Sequence, residues 1–107
     1  MKTIKSKRDF EKVFKGGKRM SHPLVRLTVA STGEGNPSRV AFVAAKRLGN
    51  AVCRNRCKRV LRAALRETGL PANGYDVILF STPATRTATS TEVAAALAKL
   101  VRRLSPR

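Results

Sequence analysis

Residues 46–67 read KRLGNAVCRNRCKRVLRAALRE, and the strand-like runs on either side take their places from this stretch. Gly49-Asn50 interrupts an extended run, and Asn50 is a natural N-cap for a helix that continues from Ala51 to about Thr68, where Gly69 and Pro71 close it. At ~100° per residue, Cys53, Cys57, Val60, Leu61, Ala64 and Leu65 gather on one face. Lys58, Arg59, Arg62, Arg66 and Asn55 gather on the opposite face, with Arg56 at its margin. Arg54 falls near the apolar edge of the first turn, from which it can reach across the helix start. No acid separates Glu34 from Glu67. A solvated helix face normally interleaves acids one turn from its bases, so this one-signed face predicts a polyanionic partner.

Working outward, residues 39–45 (RVAFVAA) precede the helix and residues 75–80 (YDVILF) follow it. Both read as strands, and a helix between two strands predicts a βαβ unit with parallel pairing. YDVILF is nearly all apolar, as a central strand covered on both faces should be. Residues 24–30 (LVRLTVA) also read as a strand, and the turn-forming stretch 31–38 (STGEGNPS) suggests that it forms an antiparallel hairpin with 39–45. Upstream, Ser6 and Asp9 mark the start of a helix over 7–14 that Gly16-Gly17 ends, with Ile4, Phe10, Val13 and Phe14 on one side. Downstream, 81–90 reads as a loop. Thr89 and Glu92 then form a capping box for a helix over 90–104, whose stripe is Val93, Leu97, Leu100, Val101 and Leu104. Arg102, Arg103 and Arg107 place positive charge at its end, where the helix dipole favours cations. The order of elements predicts a single α+β domain in which helices cover part of a sheet.

Composition narrows the partner. The 107 residues hold 23 Lys or Arg against six Asp or Glu, a net charge of +17, with five aromatics and no Trp. Nucleic acid is the default polyanion at this charge. A membrane surface would be met by an amphipathic helix with aromatics on its apolar face, and the basic run has none. No stretch has the ~20 apolar residues that span a bilayer, and residues 1–7 lack the apolar core of a signal peptide, so a cytoplasmic location is expected. Cys53 and Cys57 fit the core face of the helix as small hydrophobes in a reducing compartment. His22 stands apart from any Cys, Asp or Glu, so neither it nor the cysteines have metal-ligand spacing. It reads as a solvated loop side chain. The six acids are scattered over unrelated elements, which predicts no catalytic residue and argues against a protein-borne nuclease site. No helix-turn-helix, zinc-finger or basic-zipper pattern favours DNA. A sheet beside a basic helix and aromatic side chains suits single-stranded RNA better.

The motif in 46–67 resembles the RNR signature of the bacterial ribonuclease P protein subunit, with Lys46, Arg47, Gly49, Asn50, Ala51, Val52, Arg54, Asn55, Arg56, Lys58, Arg59 and Arg62 in matching positions. Residues 9–17 (DFEKVFKGG) and 74–84 (GYDVILFSTPA) are similar to that family's first helix and to its last strand and following loop. The resemblance implies an αβββαβα sandwich with a mixed four-stranded sheet, a left-handed βαβ crossover and an additional strand near 18–21. It also implies a protein that binds a catalytic RNA and the single-stranded 5′ leader of precursor tRNA. Hydrolysis would then belong to the RNA and its Mg2+, with no cofactor held by the protein alone. Lys46, Arg47, Asn50, Arg54, Asn55, Arg56, Lys58, Arg59, Arg62 and Arg66 would meet RNA, while Phe10, Phe14 and Arg26 would line the leader cleft. Family members often carry a further aromatic on the cleft side of the sheet. LVRLTVA offers only aliphatics and Arg26, which predicts either weaker leader stacking or an altered base preference. The alternatives are a small basic ribosomal protein and a protein-only RNA nuclease.

Overall fold

The computed structural model describes residues 2–31, 38–68 and 74–104. The expected loop tip around Glu34, the helix stop at Gly69 and Pro71, and Arg107 lie outside them. The elements run β1 (Lys2–Thr3), α1 (Lys7–Gly16), β2 (Lys18–His22), β3 (Val25–Ser31), β4 (Arg39–Val43), α2 (Ala51–Thr68), β5 (Tyr75–Ser81) and α3 (Ser90–Leu104). Short 3₁₀ turns occupy Lys46–Leu48 and Pro83–Arg86, the second inside the stretch read as loop. One mixed sheet has the order β1-β4-β5-β3-β2. The expected four-stranded sheet is therefore present, and the two-residue β1 adds a short parallel edge beside β4.

Strand pairing departs from the sequence reading in one respect. β3 and β4 do not form a hairpin, because β5 lies between them, antiparallel to β3 and parallel to β4. The apolar run of β5 accounts for this, since Val77, Ile78 and Leu79 are buried and only a central position covers both sides of such a strand. The hairpin partner of β3 is instead β2, joined through Pro23 and Leu24 with His22 opposite Val25. His22 is half-buried rather than freely solvated, and its Nδ1 accepts the Leu24 N–H at 3.1 Å. The β4-α2-β5 connection joins parallel neighbours, as the βαβ reading requires.

Strand alternation sorts the core into two layers. Val25, Leu27, Val29, Val40, Val77 and Leu79 face α2 and α3, where Leu61, Ala64, Leu65, Val93, Leu97 and Leu100 meet them. Ala41 and Ile78 face the other way, towards Ile4 and Val13, with Phe10, Phe14 and Phe80 packed alongside. Both expected caps form: Cys53 N–H donates to Asn50 Oδ1 at 3.0 Å, and Thr89 and Glu92 exchange bonds of 2.9 and 3.1 Å. Asn50→Ala should cost about 1 kcal/mol, read as a lower denaturant midpoint with an unchanged slope.

Gly17 fixes how closely α1 lies on the sheet. An added Cβ there would stand 2.6 Å from the Val13 carbonyl oxygen and 2.8 Å from Thr28 Cγ2. The Gly17 backbone is extended, so glycine is needed here for close approach rather than for a left-handed turn.

Candidate nucleic-acid interface

The basic helix is built from its cap outward. Gly49 has φ 136°, a region that strongly favours glycine. The turn it allows places the Leu48 carbonyl next to Cys53, whose thiol donates to it at 3.4 Å. Leu48 is itself 2% exposed and anchors the turn to the core. Cys57 is fully buried, and burial first, then its neighbour Cys53, pushes its thiol above the ordinary range. A protonated, enclosed thiol is a packing group, the role expected of Cys57, while Cys53 is half-buried at the helix start.

On the outer face Asn55, Arg56, Arg59, Arg62 and Arg66 are exposed, while Arg54 and Lys58 are half-buried. Among the described residues the only ion pairs are those of Arg39, so no acid neutralises this face. Val52 is 74% exposed at the start of the helix and adds an apolar spot beside the cations. Arg56 is partly committed inside the molecule, donating to the Arg86 carbonyl at 2.6 Å. Arg86 in turn donates to the Pro83 and Leu48 carbonyls at 3.2 and 3.4 Å, tying the turn after β5 to the turn before α2. Sequence reasoning passed over Arg86, although it is the only cation in the 81–90 stretch.

The second part of the site lies across the sheet. A cleft of about 330 Å3 is bounded by Phe14, Arg19, Arg26, Val43, Arg47 and Phe80. The Phe14 and Phe80 rings stand 5.8 Å apart at 64°, and the Arg19 guanidinium lies 4.1 Å from the centre of the Phe14 ring. Phe14 and Arg26 thus reach the wall assigned to them. Phe10 stacks on Phe14 at 6.4 Å but does not line the wall. Arg47 lines this cleft, apart from the other cations of the motif.

β3 brings no aromatic to the cleft, as LVRLTVA implies, but the sheet supplies one from β5, Phe80. In β5, Val77 and Leu79 face the two C-terminal helices, so Asp76, Ile78 and Phe80 face α1. Phe80 pairs in register with Arg26 and with Val43. The signal was present in YDVILF, but its run of apolar residues concealed which of them reach solvent.

α1 is held over the sheet by a charged clamp. Arg39 donates from Nη2 to Asp76 Oδ2 at 2.7 Å, from Nε to Asp76 Oδ1 at 3.3 Å and from Nη1 to Asp9 Oδ2 at 2.9 Å. These bonds, Asp76 first and Asp9 second, raise the Arg39 pKa further above its already high ordinary value, so the guanidinium is charged at any working pH. Asp9 and Asp76 are both engaged by this one guanidinium, and among the described residues no group of three His, Cys, Asp or Glu is placed to hold a metal ion.

These features define a class: a small α+β domain with an uncompensated basic helix on one sheet face and an aromatic, arginine-lined cleft on the other. Comparison with known proteins is specific. The ribonuclease P family model matches residues 1–105. The ribonuclease P protein component of Gluconacetobacter diazotrophicus is 33% identical over 97% of this chain and 91% of its own length. That of Herpetosiphon aurantiacus is 39% identical over 92% and 80%. Among solved structures, the RNase P protein of Staphylococcus aureus superposes with a TM-score of 0.82 at 22% identity, covering 98% of this chain and 96% of that one. The protein from Thermotoga maritima gives 0.79 at 24% identity, over 96% and 97%. The chain belongs to the ribonuclease P protein family, and its role is that of the protein subunit of this tRNA-processing endoribonuclease. Membership in this family sets aside the ribosomal-protein reading. No described helix is long and apolar enough to cross a membrane.

Proposed function

We propose that the two faces of the sheet hold two different RNA segments in the cytoplasm. The α2 face docks on the catalytic RNA, and the cleft takes the single-stranded 5′ leader of precursor tRNA. One observation carries this reading: the cationic helix, whose one acid is Glu67 in its last turn, and the aromatic cleft lie on opposite sides of the same sheet. Arginine forks on α2 suit phosphate oxygens, whereas rings at the cleft suit unpaired bases, with Arg19, Arg26 and Arg47 available to the backbone around them. The protein then contributes binding and orientation, and bond cleavage is left to the RNA with its own Mg2+. The test is to add the chain to a bacterial ribonuclease P RNA at low Mg2+ and measure precursor cleavage. Faster cleavage is expected. No stimulation would overturn the reading, and cleavage without RNA would restore the protein-only nuclease.

The α2 face makes a narrower prediction. Arg59→Ala and Arg66→Ala should each weaken binding to the catalytic RNA and reduce the slope of log affinity against log salt by about 1. Titrations over a range of salt concentrations read this directly, and an unchanged slope would remove that residue from the phosphate contacts.

A further inference from the structure

A second aromatic site lies on the α2 side of the sheet, away from the cleft. Phe42 in β4 points towards the C-terminal helices, yet it is only half-buried, whereas Val40 on the same side is 2% exposed. Its ring and Val40 floor a groove of about 190 Å3, walled by Thr3 from the edge strand and by Arg62 and Arg66 from α2. The Arg62 guanidinium stands 5.4 Å from the centre of the Phe42 ring. Arg62 and Arg66 are one helical turn apart, and among the described residues neither has an acidic partner. The groove is smaller than the ~300–1,000 Å3 that enclose a whole small ligand. It suits one planar ring of a polymer whose remainder lies outside.

We infer that this groove is a stacking site for one unpaired nucleotide of the catalytic RNA. The base lies against the Phe42 ring and the Arg62 guanidinium, and Arg62 and Arg66 hold the flanking phosphates. The charge of the α2 wall calls for an anion, and the ring at the floor calls for a π face. A nucleotide supplies both. The inference rests on the proposed docking of α2 on the catalytic RNA and adds that β4 shares in it. It assigns Phe42 a binding role that its place in an apolar strand conceals.

The test is equilibrium binding to a bacterial ribonuclease P RNA, without precursor tRNA, for the wild type, Phe42→Leu and Phe42→Tyr. Loss of one stacked base is worth roughly five- to a hundredfold in affinity. Phe42→Leu should therefore bind about tenfold more weakly with an unchanged salt slope, and Phe42→Tyr should stay within about twofold of the wild type. Chemical probing of the RNA should show a single unpaired nucleotide protected by the wild type and by Phe42→Tyr, and exposed by Phe42→Leu. If Phe42→Leu folds poorly, p-benzoylphenylalanine at position 42 gives an independent readout: photocrosslinking to one unpaired nucleotide supports the site, and no crosslink or crosslinks spread along duplex overturn it. Equal affinity and equal protection for Phe42→Leu and wild type would eliminate the groove while leaving the docking of α2 intact. A wild type that fails to bind or stimulate the RNA would remove both.

Discussion

Arg39→Leu should destabilise the fold by about 3 kcal/mol, towards the lower end of the ~3–5 kcal/mol expected when a buried carboxylate loses its partner. Asp76 is 1% exposed, and Arg39 sits opposite it in the parallel β4–β5 register. Among the described residues, leucine at position 39 would leave the Asp76 carboxylate in the core with only the backbone N–H of residue 39, which now donates to its Oδ1 at 3.2 Å. The lower end applies because the Arg39 side chain is about one third exposed (32%) and water screens part of the attraction. Against the ~5–15 kcal/mol of a typical domain this is a large share. Urea unfolding should show a lower midpoint at constant slope. Adding Asp76→Asn to Arg39→Leu should recover much of the loss, since the amide oxygen still accepts the backbone N–H and no buried charge remains. A loss below about 1 kcal/mol in the single variant would place the carboxylate in effective contact with water. Asp9→Ala removes only the 2.9 Å bond to α1, from a carboxylate whose side chain is 41% exposed. It should cost less and leave the β4–β5 pair intact.

The contrast between these residues marks what a sequence discloses. The starts of α2 and α3 were readable because helical period and cap chemistry act over three or four positions, and Asn50, Thr89 and Glu92 satisfy their own helix starts. Strand pairing is non-local. The turn formers of 31–38 suggested a hairpin, but they specify a reversal and not the partner, and the demand of β5 for cover on both sides decided the order. β2 reads KRMSH, in which only Met20 is buried, so it has no propensity signal of its own and exists because β3 offers an edge. The Arg39–Asp76 pair spans 37 positions, and nothing near either residue announces it. In the site, charge was legible because acids are absent along a continuous run. Which aromatics reach the surface was not, since exposure of Phe80 and Phe42 depends on where α1 and α2 end over the sheet. Arg47 illustrates the same limit: adjacent in sequence to the motif helix, it is turned by the Lys46–Leu48 segment towards the other face.

The largest functional effect is expected at Phe80. Phe80→Leu keeps an apolar side chain over Ile78 and Val43 but removes the ring that meets Phe14 edge to face at 5.8 Å. Aromatic stacking contributes ~1–3 kcal/mol per base, so affinity for a precursor with a single-stranded leader should fall about tenfold or more. Affinity for mature tRNA, which has no leader, should hardly change, and the ratio of the two is the quantity to measure. Phe80→Tyr keeps the ring and should keep the ratio. Phe14→Leu should act in the same direction, and it also deprives Arg19 of the ring 4.1 Å from its guanidinium. If one base touches both rings, the Phe14→Leu and Phe80→Leu losses will be less than additive, because the first substitution already disrupts what the second would remove. Additive losses would instead assign the two rings to different nucleotides of the leader. An equal drop for precursor and mature tRNA would return both phenylalanines to the core beside Ile78 and leave the cleft without a leader.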